Sequence, residues 1–137
     1  MAKGQICRAQ ANSFLSTIFQ NSYLGLSTTA PDEKGGNVSE PPKSAGYERH
    51  QLTALEMEVP ANGQIHNKLA IFMGESLESW GIITHLIVSK SKEGGTVIFH
   101  APLNAPVAVP EGHVPVFRKG ALIVGIDKDV LDTPEFK

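Results

Sequence analysis

Cysteine is almost missing from this sequence, which carries a single one, Cys7, among 137 residues. A lone thiol excludes an intrachain disulfide framework and any zinc site built from several cysteines. An excess of charge of one sign is missing too. Twelve Lys plus Arg stand against 14 Asp plus Glu for a formal net charge of -2, and no block of five like charges occurs. That balance argues against a protein that tracks nucleic-acid phosphates or lies on an anionic membrane. Long hydrophobic runs are also lacking. Nothing approaches the roughly 18 apolar residues of a membrane-spanning helix. The first twenty residues contain Lys3 and Arg8, but Gln10, Asn12, Ser13, Ser16 and Thr17 interrupt their apolar positions, so no secretory leader is expected there. Aromatics are sparse at 7%, whereas glycine (13) and proline (9) are plentiful. A chain of this length holds one domain and hides roughly two thirds of its unfolded surface without needing disulfides or a structural metal.

What is present divides the chain into a helix, a long polar loop, a strand-rich body and a charged tail. Cys7, Ala11, Phe14, Leu15, Ile18 and Phe19 recur at helical spacing, which predicts an amphipathic helix over about Gly4 to Gln20 within a segment 1–21. Such a stripe either packs on its own domain or docks on a neighbouring subunit. Cys7 on that stripe reads as a small buried hydrophobe. Ser22 to Thr28 reads as a first strand. Ala30 to Gly46, with three Pro and no periodicity, reads as a loop of unusual length, either functional and mobile or a disordered connector.

From Glu48 onward, short apolar runs alternate with Gly- and Pro-containing turns. Pro60-Ala-Asn-Gly63 supplies turn chemistry before a predicted strand over Ile65 to Met73. Ile82 to Ser89 and Thr96 to Leu103 flank Lys90-Ser-Lys-Glu-Gly-Gly95 and predict an antiparallel hairpin. Further runs fall at Val107 to Pro110, His113 to Lys119 and Ala121 to Asp127. The expected fold is mainly β: an antiparallel β-sandwich over residues 22–127, with a jelly roll as one way of winding it, carrying loop 30–46 and one short N-terminal α-helix. Residues 128–137 form a charged tail.

No Walker loop, no GxGxxG following a strand and no GxSxG elbow occurs. The histidines at 50, 66, 85, 100 and 113 include no His-x-His pair, although His85 and His100 lie on the two arms of the predicted hairpin and would serve a cupin-like metal enzyme if they met. The preferred reading of His85 is a core side chain bonded to Thr84 or Ser89, and no catalytic residue, metal or cofactor is expected. Asp127, Asp129 and Asp132 lack the turn glycine and final glutamate of a calcium loop, leaving a solvated tail. Trp80, before Gly81, reads as a core cap, with His85, Phe99 and Phe117 as further structural core.

Five blocks occur in order: Tyr23-Leu-Gly-Leu-Ser-Thr-Thr-Ala-Pro31, Gly46-Tyr-Glu-Arg49, Trp80-Gly-Ile-Ile-Thr-His85, Gly94-Gly-Thr-Val-Ile-Phe-His-Ala-Pro-Leu103, and Val109-Pro-Glu-Gly112 through Phe117, Gly120 and Leu122. In this the chain resembles, over roughly residues 5 to 127, a family of small bacteriophage and prophage virion proteins, tail-fibre or head-associated. The resemblance implies a non-enzymatic particle component, made in the host cytoplasm and located in the virion. It would act through contacts with its own copies, three being the expected number, and with other virion proteins, without nucleic acid or membrane. The helix residues Phe14, Leu15, Ile18 and Phe19, or loop 30–46, would carry those contacts. The alternative is a carbohydrate-binding adhesion module, in which Tyr47 or Trp80 would stack on a host surface glycan.

Overall fold

The computed structural model describes residues 7–19, 21–53, 55–58, 60–61 and 64–125. The first described element is helix α1 (Arg8–Phe19), which falls inside the expected span Gly4 to Gln20; residues 4–6 and 20 of that span lie outside the described residues. Ala11, Leu15 and Phe19, four apart, form the stripe that α1 buries. Asn21, at φ 59°, then takes the left-handed conformation that Asn tolerates better than most residues and turns the chain into the first strand.

Strands β1 (Tyr23–Ser27), β2 (His50–Gln51), β5 (Gly81–Ser89) and β6 (Val97–Val109) build a four-stranded antiparallel sheet in the order β2-β1-β5-β6. Four further strands make two short ladders. Here β3 (Gln64–His66) pairs with β8 (Ile123–Gly125), and β4 (Ile71–Phe72) pairs with β7 (Val116–Phe117). One core joins all three sheets to α1. Leu24, Leu26, Leu86, Val88 and Ala101 from the large sheet meet Ile65, Ile71, Met73 and Leu122 from the ladder region and Leu15 and Phe19 from the helix. The architecture is mainly β, antiparallel and with one helix, and its layering is consistent with the expected sandwich.

The predicted hairpin is present, with Leu86 opposite Ala101 and Val88 opposite Phe99. Two expectations need correction. The runs Thr96 to Leu103 and Val107 to Pro110 are not separate strands; they belong to the single thirteen-residue β6, whose register slips opposite Ile83 and His85. A bulge absorbs extra residues without ending a strand, and Pro102 and Pro106 are tolerated because β6 is the outer strand of its sheet. Conversely, Ile65 to Met73 is not one strand. Asn67 breaks it by turning its side chain inward, and Leu69 is left exposed while Ile71 and Met73 stay buried.

Asn67 is the polar centre of that break. Its Nδ2 donates to the carbonyls of Leu69 (2.8 Å) and Arg118 (2.9 Å), and its Oδ1 accepts from the Leu122 N–H (3.0 Å). Buried amides are tolerated when satisfied in this way. The Asn62-Gly63 turn lies outside the described residues, but Ala61 and Gln64 exchange two backbone hydrogen bonds across it.

Candidate functional site

The outer face of the large sheet is where the structure departs furthest from a plain sandwich, because loop 30–46 is a strap laid across it. Ser27 Oγ starts the strap by donating to Thr29 O (2.7 Å) and accepting from the Ser39 N–H (3.2 Å). The Thr28 N–H bonds Ser39 O, and Asn37 Nδ2 bonds Ala30 O, both at 2.9 Å. At the tip, Asp32 Oδ1 accepts from the Lys34 and Gly36 N–H groups, the local side-chain-to-backbone closure typical of Asp in turns. The loop is therefore hydrogen-bonded along its length rather than a disordered connector. Its tip rests on the start of β6, where a Cβ on Gly35 would stand 3.2 Å from Val97 Cβ.

A buried polar cluster fastens the strap. Arg49 donates from Nη2 and Nε to the two Glu40 carboxylate oxygens (2.5 and 3.0 Å) and from Nη1 to the carbonyls of Ser91 and Gly94 (2.8 Å each). The guanidinium fork matches a carboxylate in two parallel bonds, which a lysine could not do. One side chain thus ties the strap to the tip of the β5–β6 hairpin. Tyr47 completes the cluster: its hydroxyl donates to Glu40 and accepts from the Leu26 N–H. Burial, then the Glu40 hydrogen bond, push the Tyr47 phenol well above its ordinary value near 10.0, so it remains a donor. Gly25 is required beneath it, because a Cβ there would fall 2.6 Å from the Tyr47 hydroxyl. At the surface Lys43 and Glu93 pair at 2.8 Å, which raises the Lys43 pKa and lowers that of Glu93.

Trp80 lies under the strap. Its ring meets Tyr47 edge-on, with centroids 5.5 Å apart, and its indole N–H donates to Ala45 O (2.9 Å). Both rings are buried, at 3% exposure for Trp80 and 6% for Tyr47. The stacking role given to them under the glycan alternative is therefore corrected: neither presents an open face to a sugar. Phe99 and Phe117 are half-buried against the same core. His85 is half-buried, with Nδ1 2.8 Å from the Thr84 hydroxyl. The register sets His85 opposite Pro102 and His100 opposite Ile87, so the two imidazoles lie diagonally on one face. Burial first, and the neighbouring His100 second, lower the His85 pKa. Among the described residues, no three of His, Cys, Asp and Glu gather where they could hold a metal ion.

The helix surface is smaller than its sequence implies. Leu15 and Phe19 are in the protein's own core, which removes them from the proposed assembly face, while Phe14 stays exposed. The Ile18 side chain, the Asp127-Asp129-Asp132 cluster and the tail 128–137 lie outside what is described. Cys7 is exposed rather than buried, a correction that follows from the stripe of α1 running through Ala11, Leu15 and Phe19. Nor is any described helix long and apolar enough to cross a membrane.

Sequence reasoning passed over Glu40, Arg49 and Asn67, because a polar side chain buried by distant segments leaves no periodic trace. It also passed over an apolar groove between the large sheet and β7. The one available hint was Gly46-Tyr-Glu-Arg49, a block in which an aromatic and an arginine alternate.

The described residues form a mainly β, antiparallel domain with one helix and a loop strapped across its large sheet. Residues 5–125 match the family model described as Podophage GP4 fiber I protein gp80, and the chain belongs to that family of phage fibre proteins. No curated protein matches the chain.

Proposed function

We propose that this chain is a non-enzymatic structural component of a bacteriophage or prophage-derived particle, tail-fibre-associated, working through contacts with other virion subunits and with its own copies. The observation that carries this reading is the family match over residues 5–125. The structure supports it in a physical way. A subunit that bears force must keep its loops in one arrangement, and here loop 30–46 is hydrogen-bonded along its length and fastened through Arg49 to a hairpin 42 to 45 residues away in sequence. Synthesis in the host cytoplasm suits a chain with one cysteine, since a reducing compartment offers no disulfides to lose.

The test is to purify particles from induced or infected cells and locate this chain by quantitative mass spectrometry and by electron microscopy with a labelled copy. Expected is a fixed stoichiometry to the other fibre proteins and label on the tail. A chain absent from purified particles, or present only in trace amounts that vary between preparations, overturns the proposal.

A further inference from the structure

The face of the large sheet that carries the strap also carries two histidines. Leu86 and Val88 of β5 belong to the core, with Ala101 and Phe99 of β6 opposite them. Strand alternation therefore puts His85 and Ile87 of β5, with His100 and Pro102 of β6, on the other face, where Ser27 stands opposite His85 and holds the strap. The register pairs His85 with Pro102 and Ile87 with His100, so the two imidazoles are diagonal neighbours. Diagonal Cβ atoms lie about 7 Å apart, within reach of long side chains, so the two rings can meet at a point between them. Both residues are half-buried, and a dissolved ion can reach them.

The hydrogen bonds around His85 leave one ring nitrogen for a ligand. Nδ1 is 2.8 Å from Thr84 Oγ1, and the same hydroxyl is 3.5 Å from Ser27 O. With its proton on Nδ1 the ring donates to the hydroxyl and the hydroxyl donates to the carbonyl, so each donor has an acceptor. Nε2 then carries an unshared electron pair. Holding one imidazole N–H in this way is how proteins fix the tautomer and aim of a metal-binding histidine.

We propose that His85 and His100 form a two-histidine clamp on the strap side of the sheet, which takes a divalent first-row transition ion that favours imidazole nitrogen, such as nickel, copper or zinc. The clamp stands apart from the virion reading above. Burial and then His100 hold the His85 pKa below its ordinary 6.5, so near neutral pH the ring is uncharged and can give its electron pair to a metal. No third His, Cys, Asp or Glu joins the pair among the described residues. Water therefore fills the remaining positions, and the affinity falls well below that of a closed four-ligand site. Oxygen-seeking ions such as magnesium gain nothing from two imidazoles. A bound ion ties the outer strand β6 to β5 beside the register slip at Ile83 and His85. Because the unfolded chain does not hold the two rings together, binding stabilises the folded sheet.

Isothermal titration of the full chain with Ni2+, carried to about 2 mM, covers dissociation constants from roughly 10 μM to 1 mM. Expected is saturable binding near a single ion per chain, with no binding heat from Mg2+ over the same range. His85→Gln and His100→Gln should each weaken Ni2+ binding by about tenfold or more, and Thr84→Val, which deletes the hydroxyl that positions His85, by about tenfold. His113→Gln, outside the pair, should bind like the parent. Paramagnetic Ni2+ broadens nearby resonances, so the amide signals of residues 84–87 and 99–101 should fade before the rest, which locates the ion even if one variant folds poorly. No saturable binding, full binding by folded His85→Gln and His100→Gln proteins, or broadening centred on His50, His66 or His113 instead overturns the proposal.

Discussion

Replacing Arg49 by Met keeps much of the aliphatic stem and deletes the guanidinium, and its consequence can be worked out from the cluster around it. Four hydrogen bonds disappear, two to Glu40 and one each to Ser91 O and Gly94 O. Glu40 keeps only the Tyr47 hydroxyl among the cluster's donors. Breaking a buried ion pair by removing one partner typically costs about 3 to 5 kcal/mol, since the remaining charge is left uncompensated. Here the Glu40 side chain is 21% exposed against 5% for Arg49. Water can therefore reach part of the stranded carboxylate, which sets the expected loss at about 3 kcal/mol, the low end of that range. With a urea slope of about 2 kcal/mol/M the midpoint should fall by about 1.5 M at unchanged slope. The thermal midpoint should fall by about 12 °C for a chain of this size. Arg49→Met combined with Glu40→Gln should recover part of the loss, because the stranded charge is then gone. Lys43→Met is the control: its pair with Glu93 is solvent-exposed, and no measurable change is expected. A loss under about 1 kcal/mol for Arg49→Met, or a double variant in which the two losses simply add, would refute the reasoning, because either result means that the pair is not coupled in a buried site.

Other consequences can be checked on the same protein. Asn67→Ala strands the Leu122 N–H and the carbonyls of Leu69 and Arg118 in a buried site, and should cost about 2 to 4 kcal/mol in urea unfolding; a loss within error would mean that water replaces the amide. The pH dependence should carry the signature of His85. Its folded pKa lies below the ordinary value of 6.5, through burial and then His100. As pH falls through that window the unfolded chain takes up a proton that the folded chain resists, so this contribution to stability is complete above the unfolded value and is lost on acidification. Unfolding midpoints measured between about pH 7.5 and 5.5 should fall more steeply for the parent than for His85→Gln, and equal slopes would assign the dependence to other groups.

The sequence patterns foretold some elements better than others, for identifiable reasons. Ile82 to Ser89 and the run after Gly95 announce a hairpin because β-branched runs around a polar Gly-Gly turn have few other solutions. The helix was legible through a stripe of period 3.6, yet the stripe did not say which of its residues are buried. The structure chooses Ala11, Leu15 and Phe19 and leaves Phe14 outside, a choice set by the core that α1 meets. The single long β6 was hidden because Pro102 and Pro106 look like strand ends; both are compatible with an outer strand, and position in a sheet is not written in local sequence. Asn67 hides for a related reason. Its partners are up to 55 residues distant, so no window of neighbouring residues contains the bonds that fix it.

The two sides of the large sheet differ in how their polar and apolar groups are satisfied. On the outer face the strap satisfies its own polar groups. Glu40, Tyr47 and Arg49 bond one another, the hairpin tip and β1, and among their buried side-chain atoms none is left without a partner. A second protein docking there gains little, since it would have to compete with bonds already made. At the edge where the sheet meets β7 nothing comparable lies over the described residues lining the groove, and Val107, Val116 and Phe72 face water. Excluding water from apolar side chains needs no pre-existing bond to be broken. The strap, through Arg49, holds the β5–β6 hairpin, and with it one wall of the groove, in place.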